Sequence, residues 1–281
     1  MHTHLSRRLV VASRTASSLT RSYSLAEAFE IVCLNRVAIR NFSAEEVPGH
    51  TMRKVLELAQ TAPSSFNIQP YKIIVVGSPT MKAAVSTAMM PGNNTHVETA
   101  AYTIVIAADK DPARTTRKLM DLENKHGTNP KYVSSLPSKI SLLLGSGWLS
   151  SRLRALGSHL ASPLTPTPVI DPSKEPWAAK NAGFMAQTLM LAATAHGLRT
   201  LAMEGYDERR LAFVLGIDLE YYTIPLCVVV GHSAETGDRL RELASGSLSE
   251  VNPSIDKYPT KVRFPVSDVA YSDKFGGPLQ L

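Results

Sequence analysis

Three short runs of consecutive apolar, largely β-branched residues do most to limit how this chain folds: Tyr71–Val76 (YKIIVV, closed by Gly77), 102–108 (YTIVIAA) and 224–230 (IPLCVVV, closed by Gly231). Each has the length of a strand, and its apolar residues do not alternate with polar ones. A strand that shows water on one face alternates; one that does not alternate reads as buried. Between these runs the apolar residues recur at helical spacing, so the sequence predicts a layered arrangement of strands and helices and excludes an all-β or all-helical fold. With 44% hydrophobic residues over 281 positions, the chain can build such a core as a single domain.

The helices can be placed in turn. Ser24 starts the first, over Ser24–Val37, with Glu27 three positions on, which is the pattern of a capping box. A second follows Pro48, with Met52, Val55, Leu56 and Ala59 on one face. Helical spacing continues over 79–90 and 113–125, and the stretch 141–160 holds one or two short helices. A proline-rich connector, 161–172, leads to a long helix from Pro176 to His196 that stops at Gly197. It is apolar nearly all round, the natural element for a subunit interface. Its apolar run, Gly183–Leu198, is broken by Gln187, Thr188, Thr194 and His196, so it is not read as a membrane span. A short strand at 199–203 and a helix over Asp207–Leu215 precede the last strand. The tail, 232–281, has little periodicity and reads as an extended arm.

The formal charge of +6 invites a nucleic-acid reading. Its distribution argues otherwise. Residues 1–23 hold Arg7, Arg8, Arg14 and Arg21 and no acid. Without those four, 26 of the 30 basic residues remain against 24 acidic ones. An acid-free segment rich in Arg, Ser and Thr has the composition of a mitochondrial transit peptide, and a mitochondrial matrix location is the expectation, with cleavage near Arg21–Ser24. Cys33 and Cys227 form no pairing motif, the histidines show no metal-binding spacing, and neither a dinucleotide fingerprint nor a P-loop is present.

Four features remain. Arg36 and Arg40, four apart, would share one face at a helix end, as an anion clamp or as a solvated terminus. Lys261 and Arg263, two apart in an extended segment, would point to one side. Glu204–Gly205 follows a strand, where Gly lets a flat ligand approach the backbone; the plain alternative is a strand-to-helix turn with Asp207 as N-cap. The loop before the first strand concentrates Pro63, Ser64, Ser65, Asn67 and Gln69, more hydrogen-bonding groups than a turn needs.

In this order, RVAIRNF, APSSFNIQPYKIIVV, HGLRTLAMEGYD, VVVGH and KVRFP resemble the FMN-dependent nitroreductases, over about 27–108, 176–231 and 258–270. The match is poor over 109–175, a variable lid region, and over 232–257, which looks like an insertion. The resemblance implies an α+β fold with a central mixed, mainly antiparallel sheet flanked by helices. It further implies an intertwined homodimer with an extended C-terminal arm, formed by a single domain over 24–281. It implies bound FMN held by Arg36, Val37, Ala38, Arg40, Pro63, Ser64, Ser65, Asn67, Asn93, His96, Glu204, Gly205, Lys261 and Arg263. Within that set Arg36, Lys261 and Arg263 take the phosphate, Arg40 lies beside the N1–C2=O edge, and Asn93 faces the pyrimidine edge. The loop at 63–67 serves the flavin of the neighbouring subunit. Ala38 stands where the family has a phosphate-binding Ser, and His96 where it often has Lys. Arg239 and Arg241 are a rival phosphate pair, disfavoured because Pro265 follows Arg263 at the family's spacing.

The chemistry so implied is electron transfer from NADH or NADPH through FMN to a nitroaromatic or quinone, in two half-reactions on one face of the ring, with no side-chain nucleophile. Other flavin reactions on the same fold, such as dehalogenation or flavin fragmentation, and a non-enzymatic flavin-binding module are the alternatives.

Overall fold

The computed structural model describes residues 23–144, 148–166, 171, 173–235, 238, 240–245 and 261–280. The expected transit peptide lies outside them but for Tyr23, as do Arg239 and most of the expected insertion.

The expected strands form as β1 (Tyr71–Val76), β2 (Tyr102–Asp109), β3 (Arg199–Met203) and β4 (Tyr222–Gly231). They make one sheet in the order β1-β2-β4-β3, with every adjacent pair antiparallel. Among the described residues, the one parallel pairing is an isolated bridge between Ala38 and Thr200 beyond the β3 edge. The apolar runs of β2 and β4 follow from burial of both faces, whereas β1, expected as a buried strand, is an edge strand that exposes Lys72 and Val75. Ile104, Ile106, Val228 and Val230 enter one core, and Val105, Cys227 and Val229 enter the other. Successive side chains of a strand alternate between faces, so each core takes every second residue.

Helices supply both cores. On one side lie α2 (Gly49–Ala59), α5 (Thr116–Lys125), α6 (Pro130–Leu144) and α8 (Glu175–Ala195); on the other lie α3 (Pro79–Ser86), α4 (Asn93–Thr99) and α9 (Glu208–Leu215). The remaining helices are α1 (Leu25–Asn35), α7 (Trp148–Ala161), α10 (Leu240–Ala244) and α11 (Val266–Val269). Ser24 and Glu27 close the expected capping box on α1, and Asp207 caps α9 by accepting from the Arg210 amide. The long helix α8 buries Trp177, Ala178, Ala182, Met185, Ala186, Leu189 and Ala193 within this chain, so its apolar character is largely accounted for by the chain's own core.

Three expectations need correction. The first helix ends at Asn35, and Arg36 is already extended at φ −70°, ψ 97°. The middle region is more helical than its composition suggests: α6 starts at Pro130 and carries Pro137 inside it. Proline there costs one backbone bond, which burial of Val133, Leu136, Ile140 and Leu144 offsets. The tail is not wholly extended either, because α10 and α11 interrupt it.

Candidate functional site

Arg36 and Arg40 do not share a helix face. They share one side of an extended segment, where the period is two instead of 3.6. Val37 and Ile39 are buried on its inner side, while Arg36 is half-buried and Ala38 and Arg40 are exposed on the other. The segment is held to the β3 edge by the Ala38–Thr200 bridge. Its start is pinned by Arg199, 2% exposed, whose Nε and Nη2 donate to Asp238 at 2.7 and 2.8 Å while Nη1 donates to the Asn35 carbonyl at 2.6 Å. Sequence reasoning missed Arg199 and Asp238. A charged residue opening a buried strand was the available signal.

Arg36, Ala38, Lys261 and Arg263 line one cleft of about 430 Å³ with Cys33, Gln187, Met190, Leu191 and Ala202. Segments 228 positions apart in sequence meet here, and Lys261 Nζ donates to the Cys33 carbonyl. Among the described residues no carboxylate pairs with any of these three cations. Burial and then the neighbouring Arg263 push the Arg36 guanidinium below its usual range. Burial, Arg36 and Arg263, in that order, do the same to Lys261. Three cations that raise one another's energy in a concave site make a receptor for an anion with several oxygens. Cys33 is half-buried at the same cleft.

From Ala202 the β3 strand runs on to Glu204, two residues further on the same exposed side. Gly205 is closely packed: its carbonyl accepts from Asn93 Nδ2 at 3.0 Å and from the Met90 amide at 3.1 Å. A Cβ at this position would lie 2.7 Å from Asn93 Nδ2, so any side chain would displace Asn93. His96 follows one turn along α4, with its buried Nδ1 unpartnered.

The 63–69 loop is elsewhere in the chain. Phe66, Asn67 and Gln69 all have positive φ, at 55°, 58° and 48°. Such backbone is costly for non-glycine residues, and polar contacts hold it. Ser64 Oγ accepts from the Gln69 amide at 3.0 Å, and the Ser65 amide donates to Asn181 Oδ1 at 2.9 Å. Asn67 Nδ2 donates to Glu123 Oε1 at 2.8 Å. Several of the polar groups thus build the loop itself; the Ser65 hydroxyl has no partner among the described residues. Pro63 is exposed at its entrance. Asn181 precedes Gln187 and Leu191 on α8 by six and ten residues, about 9–15 Å along the axis. Within one chain the predicted residues therefore form three groups: the cationic cleft, the Asn93–Gly205 corner joined to it through β3, and the separate 63–69 loop. Arg40 is outside the cleft lining.

A family model for the nitroreductase family matches residues 34–232. YdgI of Bacillus subtilis, named as an NAD(P)H nitroreductase, is 27% identical over 227 residues, covering 79% of this chain and 96% of its own. An NADH dehydrogenase of Thermus thermophilus is 28% identical over 204 residues, covering 73% and 86%. A nitroreductase-type protein of Exiguobacterium sibiricum, solved in complex with FMN, superposes with a TM-score of 0.62 at 21% identity, over 92% of this chain and 99% of that one.

Proposed function

Because this chain belongs to the nitroreductase family, we propose that it is an FMN-dependent oxidoreductase carrying electrons from NADH or NADPH to nitroaromatic or quinone acceptors. The observation that supports this reading most is the cleft in which Arg36, Lys261 and Arg263 converge without a carboxylate. FMN ends in a phosphate, and Arg supplies planar forked donors that suit it.

The remaining residues fit the rest of that cofactor. Ala38 and Ala202 leave a side-chain-poor surface beside the cations, where a flat ring system has room. The Glu204–Gly205 backbone and the Asn93 amide lie further along the same strand direction, as polar groups for a ring edge. Arg40, on the Arg36 side of its segment, is a cation available to hold negative charge on the reduced cofactor. When bound, FMN supplies the hydride and electron chemistry. The chain's part is to bind the phosphate, present a small-residue surface and place charge and hydrogen-bond donors at the ring edge.

The reading includes a homodimer. Val262, Phe264, Val266, Val269 and Phe275 of the arm are all exposed in the single chain, as are Leu25, Phe29 and Leu34 of α1. Apolar surface on this scale calls for a partner. A second copy would also bring the 63–69 loop, with the free Ser65 hydroxyl, to its neighbour's cleft. We also propose that residues 1–23 are a mitochondrial address, supported by four arginines with no acid; N-terminal sequencing of the mature cellular protein reports it, and a retained Met1 would refute it.

The test of function is turnover. Purified protein should carry FMN, its yellow colour should bleach with NADH or NADPH under nitrogen, and a quinone or nitroaromatic should restore it. Protein that takes up FMN but stays oxidised with both nucleotides would refute the reading.

A further inference from the structure

Helix α7 is amphipathic the wrong way round for a helix packed on its own core. Leu149, Leu153, Leu156 and Leu160 are 61, 61, 59 and 71% exposed. Their spacing of four, three and four residues confines them to an arc of about 60° on the helix surface. Leu164, in the turn that follows, extends the stripe and is 87% exposed. The residues on the opposite side are small or polar: Ala155 is buried, and Arg154 and Ser158 are half-buried. The preceding helix α6 does the reverse, burying Val133, Leu136, Ile140 and Leu144 while exposing Lys131 and Lys139. The leucine stripe of α7 therefore faces away from the body of the molecule.

Charge identifies what it faces. No Asp or Glu occurs between Glu123 and Asp171, while Lys131, Lys139, Arg152 and Arg154 all fall in that interval. Elsewhere beyond residue 23 acids and bases nearly balance. Arg152 is exposed about 70° from the centre of the stripe, where its aliphatic stem can lie along an apolar phase while the guanidinium reaches its polar boundary. A leucine face bordered by Arg152, within a segment that holds cations and no carboxylate, is the composition of a helix that lies in the interface of a negatively charged bilayer. No described helix is long and apolar enough to cross a membrane, so contact would be peripheral.

We propose that α7 docks this protein on an anionic membrane surface, with the leucine stripe inserted among the lipids and Arg152 against the headgroups. The α6–α7 unit follows directly on α5, whose Glu123 accepts from Asn67 of the 63–69 loop. Docking would bring that loop near the bilayer, where quinones with long apolar tails dissolve; this last consequence, unlike the docking itself, rests on the proposed function.

The experiment is co-flotation of the full-length, FMN-loaded protein with phosphatidylcholine vesicles and with mixed phosphatidylcholine–phosphatidylglycerol vesicles, at low and high salt. Wild type should float with the mixed vesicles and not with the neutral ones, and salt should weaken binding. Because the leucines are exposed, Leu153→Gln with Leu156→Gln should leave flavin content and melting temperature unchanged. Partitioning should fall at least about a hundredfold, the order expected for losing two buried apolar side chains. Wild-type protein that floats with neither vesicle, or a double variant that floats as well as wild type, would overturn the proposal. So would a double variant with a lower oligomeric state by light scattering, which would make the stripe a contact between copies. Turnover with a short-chain soluble quinone should be equal in both proteins, while turnover with a long-tailed quinone in mixed vesicles should fall in the variant. Absence of turnover in both, with flotation intact, would count against the proposed function and not against docking.

Discussion

Replacing Arg36 by Gln separates binding from folding in a way that an ordinary structural arginine would not. In the free protein Arg36 faces Lys261 and Arg263 with no carboxylate among the described residues to offset them. Removing its charge therefore relieves repulsion, and the flavin-free protein should melt at the same temperature as wild type or slightly higher. The bound state loses a charge-assisted hydrogen bond, worth about 1.5–3 kcal/mol. That corresponds to roughly a ten- to hundredfold weaker Kd for FMN. The assay has two arms: quenching of flavin fluorescence on titrating FMN with flavin-free protein, and thermal melting with and without FMN. The stabilisation by added FMN should shrink in the variant as its affinity falls. An FMN affinity changed by less than about threefold would refute the phosphate assignment, since that is under about 0.7 kcal/mol. A flavin-free melting temperature that drops substantially would refute the account of an unrelieved cationic cluster.

Four further outcomes are expected. Ala38→Ser restores a hydroxyl at the exposed lining of the cleft and should tighten FMN binding by about 0.5–1.5 kcal/mol in the same titration. Asp238→Ala leaves the buried Arg199 guanidinium without its carboxylate and should cost about 3–5 kcal/mol in urea unfolding, far more than a surface pair would. His232 is held below its usual pKa, by burial first and then by Arg241. Its neutral form is thus the native one: the contribution is complete above the unfolded value of about 6.5 and is lost as pH falls below it through the folded pKa, so urea midpoints should decline on acidification less steeply in His232→Gln. Finally, chains carrying Arg40→Glu and chains carrying Ser65→Asp should each be inactive alone, yet a mixed dimer should recover roughly half of wild-type turnover if the two residues serve one flavin from different chains. Ser65 is the better position for this test than Asn67, where Asp would oppose Glu123.

The strands were the most legible part of the sequence: burial on both faces gives β2 and β4 their apolar runs, and β1 kept a strand's length and β-branched residues although its edge position leaves Lys72 and Val75 exposed. The capped helices were legible for a local reason as well: Ser24 with Glu27, and Asp207, satisfy amides of their own first turns. What periodicity could not give was the change from helix to extended chain at Arg36. Arg36 and Arg40 fit a helical face by spacing, but the Ala38–Thr200 bridge and the Arg199 bond to the Asn35 carbonyl draw the segment along the sheet edge. Both contacts join residues far apart in sequence, and nothing local encodes them. The helix α6 was missed, with no helix expected between 125 and 141; it carries Pro137 inside, where a buried apolar face outweighs one lost hydrogen bond. The polar loop drew attention as a ligand site, and its positive-φ residues show that part of its hydrogen bonding maintains its own strained path. The convergence of Lys261 and Arg263 with Arg36 came from resemblance alone, since no pattern within either segment points to the other.

That convergence has a consequence for the life of the protein. Cys33 and Lys261, which meet at the cleft, are 228 positions apart. A ribosome must add 228 residues after making the first wall of the cleft before it makes the second, so a nascent chain would have no complete grip on a phosphate until Lys261 and Arg263 have been added. The same holds for a chain cut just before Lys261: the residues of the sheet and of both cores would all remain, yet two of the three cations would be gone. Cofactor retention would then serve as a readout of the Lys261–Arg263 segment, dividing molecules that carry it from otherwise folded ones that have lost it.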